Sequence, residues 1–236
     1  MLELTAVSRQ YGALRPLRIE NLHVAPAEQI ALVGLDQPAA EAFINLITGA
    51  TLPDAGTVRV FSQTTTDIAG DTHWLALLDR FGIVSARAVL LESLSVVQNL
   101  AMPFSLEIEP PPHETRHRAI ALAREVGLAE DTWDTPVSGL SGLDKVRVRL
   151  ARALALGPSL VVLEHPSARL ARGDVRLLGR QLSAVVGARG LASILLTMDQ
   201  ELVEAAGVRT LVLDPATGRL RDSRRGGGLG RIAFWK

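Results

Sequence analysis

The chain has 236 residues, 47% hydrophobic and 21% charged, with 25 basic and 25 acidic side chains and no cysteine. It is long and apolar enough to bury a sizeable core unaided, and the missing thiols exclude disulfides, thiolate metal sites and a cysteine nucleophile. A formal charge of zero gives no sign of a nucleic-acid or anionic-membrane partner.

In chain order, Leu2 to Val7, Leu17 to Ile19 and Leu22 to Val24 alternate as strands. The opening residues carry no long apolar stretch, so no secretory signal is expected, and no run approaches the roughly 18 apolar residues of a membrane span. Residues 29 to 33 (QIALV) predict a buried strand that stops at Gly34. Spacing predicts a helix from Ala39 to Thr48, ended by Gly49. Asp54-Ala55-Gly56 is a turn before a strand over Thr57 to Phe61. Helical spacing returns from Leu94 to Met102, is broken by Glu109-Pro110-Pro111-Pro112, and resumes from His113 to Val126. A further helix is expected from Gly142 to about Leu156, with Val146, Leu150, Ala153 and Leu154 on one face. The apolar run over residues 160 to 163 predicts a strand buried on both faces. Helix (Val175 to Ala188), strand (Ser193 to Thr197), helix (Gln200 to Ala206) and strand (Thr210 to Leu213) follow. Strands alternating with helices imply an α/β fold with a parallel sheet. Residues 223 to 236 have flexible-linker composition and end in Arg-Ile-Ala-Phe-Trp-Lys, a frayed terminus or a docking peptide.

A strand, Gly34 and a helix are the setting of a phosphate-binding loop, whose working pattern G-x-x-x-x-G-K-[ST] combines backbone N–H groups, a lysine and a hydroxyl. Gly34-Leu35-Asp36-Gln37-Pro38-Ala39-Ala40-Glu41-Ala42 does not match that pattern, and taken alone it reads as a plain strand-to-helix turn. Further on, Leu140-Ser141-Gly142-Leu143-Asp144 heads a helix containing Ala151-Arg152-Ala153-Leu154. Pro158-Ser159 then leads through an apolar strand to Glu164-His165-Pro166-Ser167.

This order resembles the ATP-binding subunit of ABC transporters, with its LSGGQ-type signature, Walker B strand and D-E-P-T-like turn. The resemblance covers nearly the whole chain. Tyr11-Gly12 corresponds to the adenine-stacking aromatic region, residues 29 to 50 to the Walker A strand and helix, residues 82 to 103 to the Q-loop and the helix after it, and Thr197-Met198-Asp199 to the switch-histidine segment. It implies an ABC-type P-loop NTPase fold with three parts: a RecA-like core (about 1–85 and 158–222), an N-terminal antiparallel β portion, and a helical lobe (about 86–157).

The family's chemistry is largely replaced. Ala40 holds the lysine position, Glu41 the magnesium-binding hydroxyl position, and Ala39 that of the last loop glycine, while Pro38 removes an N–H. Ala86 holds the Q-loop glutamine position, Glu164 the Walker B aspartate, His165 the catalytic glutamate, Met198 the switch histidine and Ala171 the D-loop aspartate. Only Tyr11, Gly34, Ser141 and Gly142 persist among nucleotide-touching positions. Replacing a lysine by alanine and a hydroxyl by a carboxylate turns attraction for a polyanion into repulsion. At an effective dielectric of 20 one charge pair at 4 Å is worth about 4 kcal/mol, so affinity should fall about 10³-fold or more. Glu164 could still hold a divalent cation and His165 could act as a base, but nothing else positions the phosphates.

Other patterns are weaker. His113 and His117 share a helix face without a third metal ligand, and Gly226-Gly227-Gly228-Leu229-Gly230 lacks the strand and helix of a dinucleotide site. The arginines between 147 and 152 suit a structural role better than nucleic acid. Ser141 has no histidine–carboxylate partner.

The resemblance implies a pseudo-ATPase component of an ABC transport system with no metal site. No cofactor is expected in its own pocket, ATP and magnesium being the family's ligands. Ser141 and Gly142 would face the nucleotide of an intact ATPase subunit in a heterodimer. A transmembrane permease would hold the pair at the inner face of the membrane, without nucleic acid or direct membrane insertion. A non-transport scaffold and an atypical ATP binder are the alternatives.

Overall fold

The computed structural model describes residues 1–68 and 70–223; the expected C-terminal tail lies outside the described residues from 224 onward. The N-terminal strands β1 (Leu2–Arg9) and β2 (Leu17–Val24) pair antiparallel, and β1 also pairs with β4 (Ala55–Val60), which meets the short β5 (Gln63–Thr64). β2 is one strand where the alternation suggested two. Its inward phase flips at Glu20–Asn21, opposite Ala6 of β1, whose φ of +49° marks an irregularity in the pairing.

The second sheet has the order β10-β9-β3-β8-β7-β6. β3 (Gln29–Val33), β6 (Phe81–Val84), β7 (Leu160–Glu164), β8 (Ala192–Thr197) and β9 (Arg209–Leu213) run parallel, and β10 (Leu220–Asp222) closes one edge antiparallel. Every residue of β7 and β8 is buried, as expected for strands covered on both faces. Side-chain alternation divides the interior in two. Ile30, Leu32, Leu160, Val162, Ile194 and Leu196 pack toward the antiparallel sheet and α1 (Gln37–Ile47). Ala31, Val161, Leu163 and Leu195 pack toward the remaining helices. Those are α3 (Val96–Ala101), α4 (His113–Glu125), α5 (Gly142–Leu154), α6 (Arg172–Ala188) and α7 (Gln200–Ala206); α2 (Asp71–Leu78) precedes β6 and buries only Leu77.

Helix starts follow local chemistry. Ser95 caps α3 in a reciprocal box with Gln98, and Asp199 caps α7. α1 starts two residues before the expected Ala39, because the Asp36 side chain accepts from Ala39 N at 2.9 Å and Pro38 fits the first turn.

The parallel order makes β3 a switch point. The chain leaves β3 for the far edge at β6, returns through β7 and β8, and crosses to β9 on the other side. In open α/β sheets the crevice beyond the carboxyl ends of the strands at such a point is where ligands bind. The loops leaving β3, β6, β7 and β8 there begin with Gly34, Ser85, His165 and Met198.

Candidate functional site at the carboxyl ends of the parallel strands

Gly34 leaves β3 at φ +108°, and a Cβ there would lie 2.8 Å from the carbonyl oxygen of Leu213 on β9. Packing between neighbouring strands thus requires this glycine whether or not phosphate is bound. In the first turn of α1, Ala39 is 6% exposed and Ala40 0%, both within the apolar core. Asp36, not a ligand, takes the Ala39 N–H. Its charge also reaches Tyr11, whose phenol is pushed above its ordinary range, first by burial and then by Asp36.

Glu164 ends β7 with its side chain 1% exposed, a position no carboxylate holds without partners. It has two. Gln37 Nε2 donates to its Oε1, and Arg87 Nη2 donates to its Oε2 at 3.0 Å. Arg87 Nη1 lies 2.6 Å from Glu41 Oε1. One arginine therefore bridges the Glu41 and Glu164 carboxylates. The loop after β6 turns to present it: Ser85 Oγ accepts from Arg87 N at 3.1 Å, and Ser85 O accepts from Ala88 N at 3.1 Å. Ala86 is exposed and offers no polar group.

His165 has φ +42°, uncommon for a residue with a side chain. Its N–H donates to Leu196 O at 2.9 Å, and its Nε2 is buried without a hydrogen-bond partner among the described residues. Met198 is 39% exposed. It lines an open cleft with Ser167, Leu170, Arg172, Asp199 and Glu201, and Ser167 Oγ donates to Asp199 Oδ2 at 2.8 Å. Ala171 starts α6 without a side-chain cap.

Ser141 and Gly142 lie apart from this group, sharing no hydrogen bond or ion pair with Glu41, Arg87 or Glu164 among the described residues. Ser141 caps α5, accepting from Asp144 N at 3.1 Å and donating its hydroxyl proton to Asp144 Oδ2 at 2.7 Å. Asp144 Oδ1 also pairs with Arg147 at 2.7 Å, and Arg147 is held by Gln181 on α6. A carboxylate of the chain itself thus sits against the signature serine. Gly142 is packed beneath Leu170 Cδ2, which a Cβ would meet at 3.2 Å.

Of the positions singled out in the sequence, the fold brings Glu41 and Glu164 together. Arg87, which joins them, and Gln37, which donates to Glu164, were given no role from the sequence. The signal available was electrical: two carboxylates aimed at one buried crevice require a cation, and Arg87 follows directly on the Q-loop position. A triphosphate with its divalent cation would need a lysine, a hydroxyl and free N–H groups here. The residues present are three carboxylates (Asp36, Glu41, Glu164), one guanidinium already shared by two of them, and an N–H already taken. They do not fit that ligand. Among the described residues no group of three or more His, Asp or Glu side chains is placed to hold a metal ion.

A parallel sheet with its polar residues gathered at the β3 switch point is the architecture of P-loop nucleotide-binding domains. A family profile described as ABC transporter matches residues 17–168. The lipoprotein-releasing system ATP-binding protein LolD of Maricaulis maris is 33% identical over 227 residues, covering 93% of this chain and 96% of that protein. A sulfate/thiosulfate import ATP-binding protein CysA 2 of Chromobacterium violaceum is 31% identical, covering 94% of this chain and 58% of the relative. The chain likewise spans only about three fifths of the methionine import relatives it matches. Among solved structures, CbiO1 of Clostridium perfringens, part of the ABC transporter complex CbiONQ, superposes with a TM-score of 0.76 at 21% identity, covering 93% of this chain and 86% of that one. A dimeric ATP-binding cassette with ADP and phosphate superposes at 0.75 and 22%, covering 94% and 98%. The chain belongs to the ABC transporter family, as an ATP-binding component with the ABC-type P-loop fold.

Proposed function

We propose that this chain is a non-hydrolysing ATP-binding-subunit-like member of an ABC transport system. It would pair with a hydrolysis-competent cassette and a membrane permease at the cytoplasmic face. The observation that carries the reading is the Glu41–Arg87–Glu164 bridge, with Ala40 buried where a phosphate-binding lysine would stand. A guanidinium cannot be deprotonated under working conditions, so it competes with the metal ion of any metal–phosphate complex for both carboxylates. His165 has no held γ-phosphate to act upon. The direct test is phosphate release by the purified chain with ATP and Mg²⁺, alone and with an intact paralogue. No release from the chain alone is expected. Turnover that disappears in His165→Ala would overturn the reading.

One observation favours a second reading, a non-transport scaffold that uses the fold without nucleotide. Ser141 is already engaged by Asp144, which lowers its value to a partner's γ-phosphate. Affinity recovery of the chain from its native source separates the two: an ATPase paralogue and a permease support the transport reading, and recovery without either supports the scaffold. The helical segment of about 86–157 would act as one lobe in either case. Among the described residues no helix is long and apolar enough to cross a membrane.

A further inference from the structure

We infer that Arg87 is a built-in counter-cation that closes the pocket and ties the loop after β6 to both halves of the fold. The sheet and the helices leading from it would then keep one relative arrangement without nucleotide. This goes beyond the loss of hydrolysis, because it concerns the conformation of the isolated chain.

Three arginines hold the same short loop. The Arg87 guanidinium reaches Glu164, at the end of β7, at 3.0 Å and Glu41, on α1, at 2.6 Å. On the opposite side Arg149 Nε donates to Ala88 O at 3.2 Å, and Arg152 Nη1 donates to Val89 O at 2.7 Å. Both of those arginines lie on α5, so residue 87 is bound to the end of β7 and to α1, and the next two residues, 88 and 89, to the helical side. Burial draws the pKa of Arg149 and of Arg152 down, and for Arg149 the nearby Arg169 and Arg152 add to the effect. The two side chains are half-buried. Leu91 N–H donates to Asn99 Oδ1 at 3.0 Å, and the Asn99 amide donates to Leu91 O at 3.0 Å, anchoring the loop's far end to α3.

In this arrangement the cation between Glu41 and Glu164 belongs to the loop itself. A loop that depended on a diffusible cation would loosen when that cation left, whereas this one carries its own. Removing the guanidinium should do two things together: free two carboxylates as hard-cation ligands, and release residue 87 from the end of β7.

The test uses the full chain, Arg87→Ala, Arg87→Ala/Glu164→Gln, and Arg116→Ala as a control that removes a remote surface arginine paired with Asp134. Manganese alone, without nucleotide, is the probe, followed by the loss of the free-ion electron paramagnetic resonance signal. The expected result is at least a tenfold gain in Mn²⁺ affinity for Arg87→Ala over the unmodified chain, no gain for Arg116→Ala, and loss of the gain in the double variant. Hydrogen–deuterium exchange over residues 85 to 91 should rise in Arg87→Ala and stay unchanged on adding ATP and Mg²⁺ to the unmodified chain. Equal Mn²⁺ affinity in the unmodified chain and Arg87→Ala would overturn the inference, as would unchanged exchange over 85 to 91. Should Arg87→Ala fail to fold, Arg87→Ala/Glu41→Gln/Glu164→Gln, which leaves no uncompensated carboxylate, carries the exchange measurement with the same two outcomes. ATP turnover by the unmodified chain would refute the proposed function and leave the Mn²⁺ comparison intact, so the two failures are distinguishable.

Discussion

Gly34 persists at a phosphate-loop position, and its replacement tests whether packing alone accounts for it. In Gly34→Ala the new Cβ would lie 2.8 Å from Leu213 O and 3.3 Å from Leu213 Cβ. The carbonyl belongs to β9, which pairs with β3 on one side and β10 on the other, so it cannot swing away as a surface side chain would. Holding a residue with a Cβ at φ +108° costs about 1–3 kcal/mol, and overpacking adds about 1–3 kcal/mol. A loss of about 4 kcal/mol follows, or about 8–16 °C in melting temperature for a chain of this size. Gly157→Ala is the matched control. Gly157 also has positive φ, +67°, but nothing lies within 4 Å of its Cβ position, so the cost is about 1 kcal/mol, or about 2–4 °C. Thermal unfolding by circular dichroism reads both. If Gly34→Ala melts within about 3 °C of Gly157→Ala, the approach to Leu213 is not what fixes this residue, and the case against phosphate binding by its loop weakens.

Three further outcomes are expected. Ala40→Lys alone should give no phosphate release from ATP, since Arg87 still occupies Glu41 and Glu164 and Asp36 still takes the Ala39 N–H; a measurable rate would show that the lysine alone was missing. In a reconstituted complex with a competent cassette, Ser141→Arg should lower the ATPase rate, and an unchanged rate would remove the shared-site form of the proposal. The Gln10 N–H and Arg9 hold the Asp54 carboxyl below its ordinary range, and bidentate Arg116 does the same for Asp134, in each case against a smaller opposing effect of burial. A carboxyl with a depressed folded-state pKa stabilises the fold above its unfolded value, near 4, and that contribution is lost as pH falls through the folded value. The melting temperature should therefore hold from pH 7 to 5 as far as these two groups decide it, and drop below about pH 4. Asp134→Asn should lose part of the drop, and a decline already complete at pH 5 would assign the acid sensitivity to other groups.

The fold was legible wherever one periodicity ran unbroken. The run over residues 160 to 163 announced a doubly buried strand, and the α7 helix keeps the bounds its spacing gave. Legibility failed where the pattern was short or interrupted. β10 has three residues, α2 buries one side chain, and the phase change opposite Ala6 split β2 into two expected pieces. At the site, the family resemblance pointed to Glu41 and Glu164 as positions of interest, but the ion pair that joins them was not legible in the sequence. Glu41, Arg87 and Glu164 are far apart in the chain and meet because β3, β6 and β7 run parallel and end at one crevice. Local periodicity carries no information about which of 25 basic residues will answer two buried carboxylates.

The polar groups at this site engage one another. Asp36 occupies the N–H that a phosphate would use, Arg87 the position between two carboxylates that a cation would use, and Asp144 the hydroxyl of the signature serine. An unpaired Glu164, 1% exposed, would carry a large desolvation cost, and breaking a buried pair by removing one partner costs about 3–5 kcal/mol. The exposure of Arg87 (44%) and Glu41 (46%) and the remaining bond from Gln37 to Glu164 place Arg87→Ala at or below the lower end of that range. Replacing both charges by apolar groups of like shape is often neutral, so the bridge is not explained by stability alone. What it does is penalise every arrangement in which residue 87 leaves the end of β7, because each leaves the buried Glu164 carboxylate with the neutral Gln37 amide in place of a cation. With the Ala39 N–H and the Glu41 and Glu164 carboxylates engaged by its own chain, the site has little left for a metal-bound triphosphate, and the bridge's remaining effect is on the relation between sheet and helices. Partners in an assembly would meet that relation as a fixed surface.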